Sequence, residues 1–311
     1  MSKYIGWKYY DSTWYGLDFV DSKFLPYYPD TDNKDACYDI ADKHLTEICT
    51  VSELSLDGNS HPRLIVIKVG EQNILEEYFL PLVKNSESLY LKNDAAYFKN
   101  KKLVISSDMM LEDQHFTRDY DPKIIAKKLL RINLSDIAAM GAVPYGFFLN
   151  VAVPKKNINR WLEKFVYGLR EDMYKFNLKL FGGDLSCSSK IFLNVTILGK
   201  TKQYAHIRNF TKSNSDIYVS GNIGDAPLGF EIKKNLNKFL CSLKTKKKLL
   251  NKFYLPEPRL ELGSKLLNKV EFCTDLSDGL LRDLLIIADR SKKQANIFLD
   301  KIPISSELQE I

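Results

Sequence analysis

The sequence predicts an α/β (α+β) fold, and three observations carry that prediction. From Glu76 onward, short apolar stretches alternate with segments of helical period. Gly, Pro and Asp punctuate the joins between them. Of 311 residues, 45% are hydrophobic and 27% charged, which supplies a core and excludes a wholly disordered or fibrous chain. The length suits about two domains. The expected division is 1–72, an unassigned N-terminal extension, then 73–200 and 201–311.

Residues 1–72 are rich in Tyr, Trp and Asp and show one strand-like stretch, 64–69. Asp30, Asp32 and Asp35 fall in a turn, but no Gly and no later Glu complete a calcium loop. Further on, residues 103–106 form a short apolar run that stops at Ser107-Asp108. Asp121-Pro122 starts a helix, with Asp as cap and Pro in the first turn. That helix runs to Met140 and stops at Gly141. A strand at 147–153 is closed by Pro154. Trp161, Leu162, Phe165, Val166, Leu169 and Phe176 then mark an amphipathic helix. Strands are expected at 178–181, ending at Gly182-Gly183-Asp184, at 191–198 and at 217–220. Helices follow the turn at 221–224, occupy 260–267 after Pro256 and Pro258, and run from Gly279 to Ala288.

Net charge is +6, yet residues 233–252 alone hold eight Lys and no acid, so the rest of the chain is slightly acidic. The run reads as a solvated basic helix face. No stacking-aromatic pattern accompanies it, so no nucleic-acid partner is expected. Five cysteines, widely spaced and without a C-x-x-C pair, argue against a disulfide framework or a zinc knuckle and for a reducing compartment. No apolar run approaches the roughly 18 residues of a membrane span. The expectation is a cytoplasmic protein with no membrane partner.

Acidic residues recur in one setting: a short apolar stretch, then Asp beside Ser or Gly. The instances are Ser106-Ser107-Asp108, Gly182-Gly183-Asp184, Gly224-Asp225 and Asp275-Leu276-Ser277-Asp278. Small residues let a ligand approach the backbone, and carboxylates at strand ends can meet in one cleft. A turn or cap role is the competing reading, above all for Asp225. Asp136 stands apart, because it lies late in an otherwise apolar helix. A buried lone carboxylate is costly unless paired or bound to a cation, so a metal role competes with a buried cap or ion pair. Asn133 shares its face at i, i+3. Oxygen donors without a Cys/His pair favour Mg²⁺ over zinc, and several carboxylates around divalent ions suit a polyphosphate. Gly199-Lys200-Thr201 imitates the end of a P-loop, but the earlier Gly is Asn194. A nucleotide site here needs another fold.

Seven segments in order carry a resemblance: Asn93–Ala96, Ile105–Asp108 with His115-Phe116, Asn133–Ala142, Gly182–Asp184, Gly221–Asp225, Pro256–Arg259 and Asp275–Gly279. Together they resemble the thiamine-monophosphate kinase family, of the superfamily with aminoimidazole ribonucleotide synthetase, selenophosphate synthetase and the hydrogenase maturation factor HypE. The likeness spans roughly residues 76–306. It implies an N-terminal ATP/Mg domain at 73–200 that pairs with its twin in a homodimer, and an α/β C-terminal domain at 201–311. It implies transfer of the γ-phosphate of ATP to thiamine monophosphate, giving thiamine diphosphate. By the same resemblance, Asp94, Ser106, Ser107, Asp108, Asp136, Asp184, Asp275 and Asp278 match ligands of several Mg²⁺ ions. Gly182, Gly183, Asp184, Arg208 and Ser277 match ATP contacts, and His115 matches a contact to the substrate phosphate. Asp136, Asp184 and Arg208 would carry catalysis by neutralising charge.

The chain departs from the family pattern at two places. Asn93 stands where the family has an acid. The family also continues past residues 299–305 into a Gly-Gly-Glu-Asp-Tyr-Glu motif and an aromatic substrate contact, while this chain ends at Ile311. The expectation is a truncated C-terminal domain. Two alternatives remain: a degenerate relative that keeps part of the ATP/Mg site, and a sister-family ATP-dependent enzyme with another small acceptor.

Overall fold

The computed structural model describes residues 74–311, apart from 157, 203 and 209–214, together with four short strands near the N-terminus. The 64–69 strand and the Asp30–Asp35 turn lie outside the described residues. The chain divides into two compact units, Met1–Ser86 and Glu87–Ile311. In the first, β1 (Lys3–Gly6) pairs antiparallel with β4 (Asp18–Asp21), and β2 (Tyr9–Tyr10) with β3 (Thr13–Trp14).

The second unit is built on a five-stranded sheet of order β5-β6-β9-β7-β8. Its strands are β5 (Ala96–Phe98), β6 (Leu103–Leu111), β7 (Val143–Val153), β8 (Lys179–Cys187) and β9 (Phe192–Lys200). Only β7 and β8 run parallel, because a helix, α2 (Asn159–Lys175), carries the chain back between them. Alternation sets the two faces. On β9, buried Leu193, Val195 and Ile197 alternate with partly exposed Asn194 and Thr196.

Helix α1 (Pro122–Ala139) covers the apolar face. The Asp121 carboxylate accepts the Lys123 N–H at 3.1 Å, which caps the helix as its sequence predicts. Its Ile125, Leu129, Leu130, Leu134 and Ile137 pack with Val104, Phe147 and Ile197 in one core. Helix α2 presses close to α1 at Gly168, where an added Cβ would stand 2.3 Å from the Lys123 carbonyl. A buried pair, Arg131 Nε to Asp172 Oδ2 at 2.6 Å, locks the two helices.

Two strands extend further than their apolar runs suggest. β6 continues through Ser107-Asp108 to Leu111, and β8 continues through Gly182-Gly183-Asp184 to Cys187. In both, ladder bonds from a neighbouring strand hold polar residues that local pattern assigns to a turn. The expected strand at 217–220 is coil. No strand among the described residues lies beside it to complete a ladder.

From residue 201 the described elements are helices and turns: α3 (Asp225–Lys234), α4 (Leu243–Tyr254), α5 (Leu260–Leu266), α6 (Leu280–Ser291) and α7 (Ser306–Gln309). The lysine run falls on the end of α3 and on α4. There Thr245 and Leu249 are buried while Lys244, Lys247, Lys248 and Lys252 are exposed. No helix among the described residues is long and apolar enough to cross a membrane.

Candidate functional site

Three separate elements bring acids together. Asp94 lies just before β5, Asp136 lies in the last turn of α1, and Asp275 lies in the loop before α6. One carboxylate oxygen from each falls within 4.8 Å of the others. The Ser106 hydroxyl, on the α1 side of β6, donates to Asp136 Oδ2 at 2.5 Å. Ser135 donates to Asp275 Oδ2 at 3.0 Å. Arg208 grips Asp94 through Nε at 3.2 Å and through Nη2, and Nη2 also meets the Thr274 hydroxyl.

The electrostatics are those of acids crowded in low dielectric. Burial pushes Asp136 up to about 9, and the charges of Asp108 and Asp275 add to it. Burial also raises Asp94, against the pull of Arg208, and raises Asp275, against its bond from Ser135. An oxygen-only cluster that resists ionising in the absence of a cation fits a hard divalent ion such as Mg²⁺.

The remaining sequence candidates divide. The Asp108 carboxylate faces α1 and acts electrostatically on Asp136. Its backbone N–H is held by Asn133 Oδ1 at 3.0 Å. Ser107 points to the opposite face of the sheet, where its hydroxyl meets Thr196 Oγ1 at 2.9 Å. Consecutive strand residues alternate, so Ser106 and Ser107 cannot both face α1. Asp184 is exposed on the edge strand β8 with Gly182 and Gly183. It stands opposite Asn150 on β7 and accepts from Ser186 at 3.2 Å, outside the three-acid group. Ser277 and Asp278 are exposed in the loop before α6, and Asp278 pairs with Arg282 at 3.6 Å. His115 sits on the loop after β6, where its Nδ1 accepts the Leu111 N–H at 3.0 Å. Asp225 is buried and bonded by Ser305 at 2.5 Å, so its role is to tie the start of α3.

The structure gives roles to three more residues, of which the sequence marked Asn93 and Asn133 without a role and missed Asp283. Asn93, the neutral departure, accepts the Arg208 backbone N–H at 2.5 Å and so fixes the residue that grips Asp94. Asn133 is fully buried and holds Asp108; its i, i+3 spacing to Asp136 is the signal that was available. Asp283 is buried on α6 and accepts the Asp278 N–H at 3.3 Å. Burial, then Asp278 and Asp275, push it up to about 7.

The fold is that of the AIR synthase-related class. The family model for AIR synthase related protein, N-terminal domain, matches residues 92–201. A thiamine-monophosphate kinase of Buchnera aphidicola subsp. Acyrthosiphon pisum is 35% identical over 249 residues, 78% of this chain and 76% of that relative. The Escherichia coli (strain K12) thiamine-monophosphate kinase is 32% identical over 246 residues, 77% and 74% of the two chains. A solved structure of AaThiL complexed with AMPPCP and TMP matches with a TM-score of 0.70 at 26% identity, covering 77% of this chain and 76% of that one. The chain belongs to the thiamine-monophosphate kinase family, and so to the phosphotransferases.

Proposed function

We propose that the protein transfers the γ-phosphoryl group of ATP to thiamine monophosphate, yielding thiamine diphosphate and ADP. The observation that carries this reading is the convergence of Asp94, Asp136 and Asp275 within 4.8 Å, with Arg208 bound to the first. The relatives' names and the AaThiL complex with AMPPCP and TMP support the choice of substrates.

The chemistry asks little of the protein in covalent terms. A phosphate oxygen of thiamine monophosphate is already anionic at neutral pH, so it attacks without a general base. One P–O anhydride bond forms to the γ-phosphorus as the bond to the ADP oxygen breaks, in line. The protein's part is positioning and charge. Asp94, Asp136 and Asp275, with Ser106 beside them, would hold Mg²⁺, which draws charge from the triphosphate. Arg208 presents a guanidinium at the same place, and Asp108 and Asp278 extend the acidic rim. Asp184, Gly182, Gly183 and Ser277 are assigned to ATP contacts by resemblance. His115 offers a donor to the acceptor phosphate.

The proposed division assigns 73–200 to ATP, Mg²⁺ and dimer formation, and 201–311 to the C-terminal domain. The sheet face away from α1 carries Met109 and Phe148, 48% and 42% exposed, which suits packing against a second copy in a homodimer. An ATP-consuming reaction fits a cytoplasmic setting.

The test is direct. The purified chain, given ATP, Mg²⁺ and thiamine monophosphate, should release ADP and thiamine diphosphate in equal amounts. ATP binding without diphosphate product would reduce the protein to a degenerate relative.

A further inference from the structure

We propose that Asn93 is a positioning residue for phosphoryl transfer: its side-chain amide ties a strained turn, Leu89–Leu91, to the backbone of Arg208 and so aims the Arg208 guanidinium at the acid cluster. The assignment rests on the functional reading above. It makes the departure from the family's acid a working part of the site.

The first observation is that the amide is used at both ends. Asn93 Nδ2 donates to the Leu89 carbonyl at 3.4 Å, and Asn93 Oδ1 accepts the Arg208 N–H at 2.5 Å. A carboxylate could accept the Arg208 N–H, but it has no proton for the Leu89 carbonyl and would face that oxygen with a charge. The contacts therefore call for one donor and one acceptor on a short, neutral stem. An acid here would also add like charge beside Asp94, where three carboxylates already converge.

The second observation is what the bond fixes. Arg208 lies in coil, outside the strands that register their neighbours by ladder bonds. Two consecutive residues hold it: Asn93 takes its peptide N–H, and Asp94 takes its guanidinium through Nε and Nη2. Nη2 also meets the Thr274 hydroxyl, next to Asp275 of the cluster. A long, flexible side chain held at its backbone and at its head loses most of its rotamer freedom before ATP arrives.

The third observation is the turn itself. Leu89, Tyr90 and Leu91 all adopt left-handed backbone, with φ of 50, 57 and 55. Each costs an L-residue about 1–2 kcal/mol, so such a turn persists only where its surroundings over-determine it. The Asn93 amide supplies one restraint on the Leu89 carbonyl, and the Lys92 N–H supplies another at 3.2 Å. The Tyr97 N–H closes the segment on the Glu87 carbonyl at 2.7 Å. The strained turn thus ends where Asn93 and Asp94 meet Arg208.

Steady-state kinetics of the full chain with ATP, Mg²⁺ and thiamine monophosphate test the assignment in wild type, Asn93→Leu, Asn93→Asp, Arg208→Met and the double variant Asn93→Leu with Arg208→Met. Leu matches the size of Asn and makes neither bond. We expect Asn93→Leu to lower kcat about tenfold or more with the KM for thiamine monophosphate unchanged. Asn93→Asp keeps the acceptor and recovers part of that loss. In the Arg208→Met background, Asn93→Leu should lower kcat no further, because its effect passes through the guanidinium. A purely structural role predicts losses that multiply in the double variant, and that result overturns the proposal. So does Asn93→Leu with wild-type turnover. Should Asn93→Leu fail to fold, Asn93→Asp decides: turnover at or below one-tenth of the Arg208→Met value overturns the proposal, and turnover between Arg208→Met and wild type supports it. A wild type that forms no thiamine diphosphate overturns the functional reading, and this assignment with it.

Discussion

At the scale of single residues, Asp136 concentrates the conflict between folding and function. Its carboxylate is pushed up to about 9 by burial and by its acidic neighbours, so the fold holds it at a cost that a bound cation would offset. Asp136→Asn keeps an oxygen for the Ser106 hydroxyl but withdraws the charge. Turnover should fall about 10²–10³-fold, the scale of losing one preorganised charge contact. The melting temperature without metal should hold or rise. A variant with near-normal turnover contradicts the cluster's role. Lys128 gives a pH prediction of definite sign. Burial lowers its folded pKa from 10.5 to about 8, so the unfolded chain binds the extra proton between those values. The cost of holding the charge is full below about 8 and disappears towards 10.5. Wild type should therefore gain stability on Lys128→Met as pH rises through that window, by up to about 3 kcal/mol. Urea unfolding of both proteins at pH 7.5 and pH 10 measures it, and a constant difference refutes it. Asp136 was legible in the sequence because a carboxylate in an apolar helix needs a reason. Lys128 and Asp283 were not, because a helical Lys or Asp looks solvated until packing shows what surrounds it.

At the scale of elements, the helices announced themselves and the strands did so only in part. The Asp-Pro start and Gly141 stop bracket α1 in sequence as in structure, because caps are local chemistry. β6 and β8 outrun their apolar runs because their ends are held by ladder bonds to β9 and β7, which local pattern cannot contain. The same partner dependence left 217–220 as coil and turned Ser107 away from the acids. Glycine in β8 shows how tight that pairing is. A Cβ on Gly183 would stand 1.8 Å from the Leu149 carbonyl oxygen, at a φ of +152. On Gly182, with the same φ, it would meet only the Phe148 ring at 3.8 Å. Gly183→Ala should cost about 2 kcal/mol or more, and Gly182→Ala about 1 kcal/mol from the backbone alone. Chemical denaturation ranks the two, and equal losses would mean that the approach of β8 to β7 is looser than described.

At the scale of the whole molecule, the acids are what distant parts of the chain hold in common. Asp94 precedes the sheet, Asp136 ends the central helix and Asp275 opens the loop before α6, so the fold must bring like charges together before any ligand can use them. Without a cation that convergence opposes folding, since burial raises all three acids, Asp275 adds to the shift of Asp94, and Asp275 and Asp94 both add to that of Asp136. With one, the same convergence becomes a clasp between the sheet domain and the residues after 201. Binding to the folded state alone stabilises by mass action, about 2.7 kcal/mol when Mg²⁺ stands at a hundred times its dissociation constant. For a chain of this size that amounts to a rise of roughly 4 °C in melting temperature. Wild type melted with Mg²⁺ should show this rise over wild type in chelator, and Asp136→Asn should lose most of it. Potassium chloride at matched ionic strength controls for screening, because surface pairs respond to salt of any kind while a chelating cluster requires the divalent ion. If potassium chloride alone reproduces the rise, the three carboxylates are only a crowded acidic patch and the clasp does not exist.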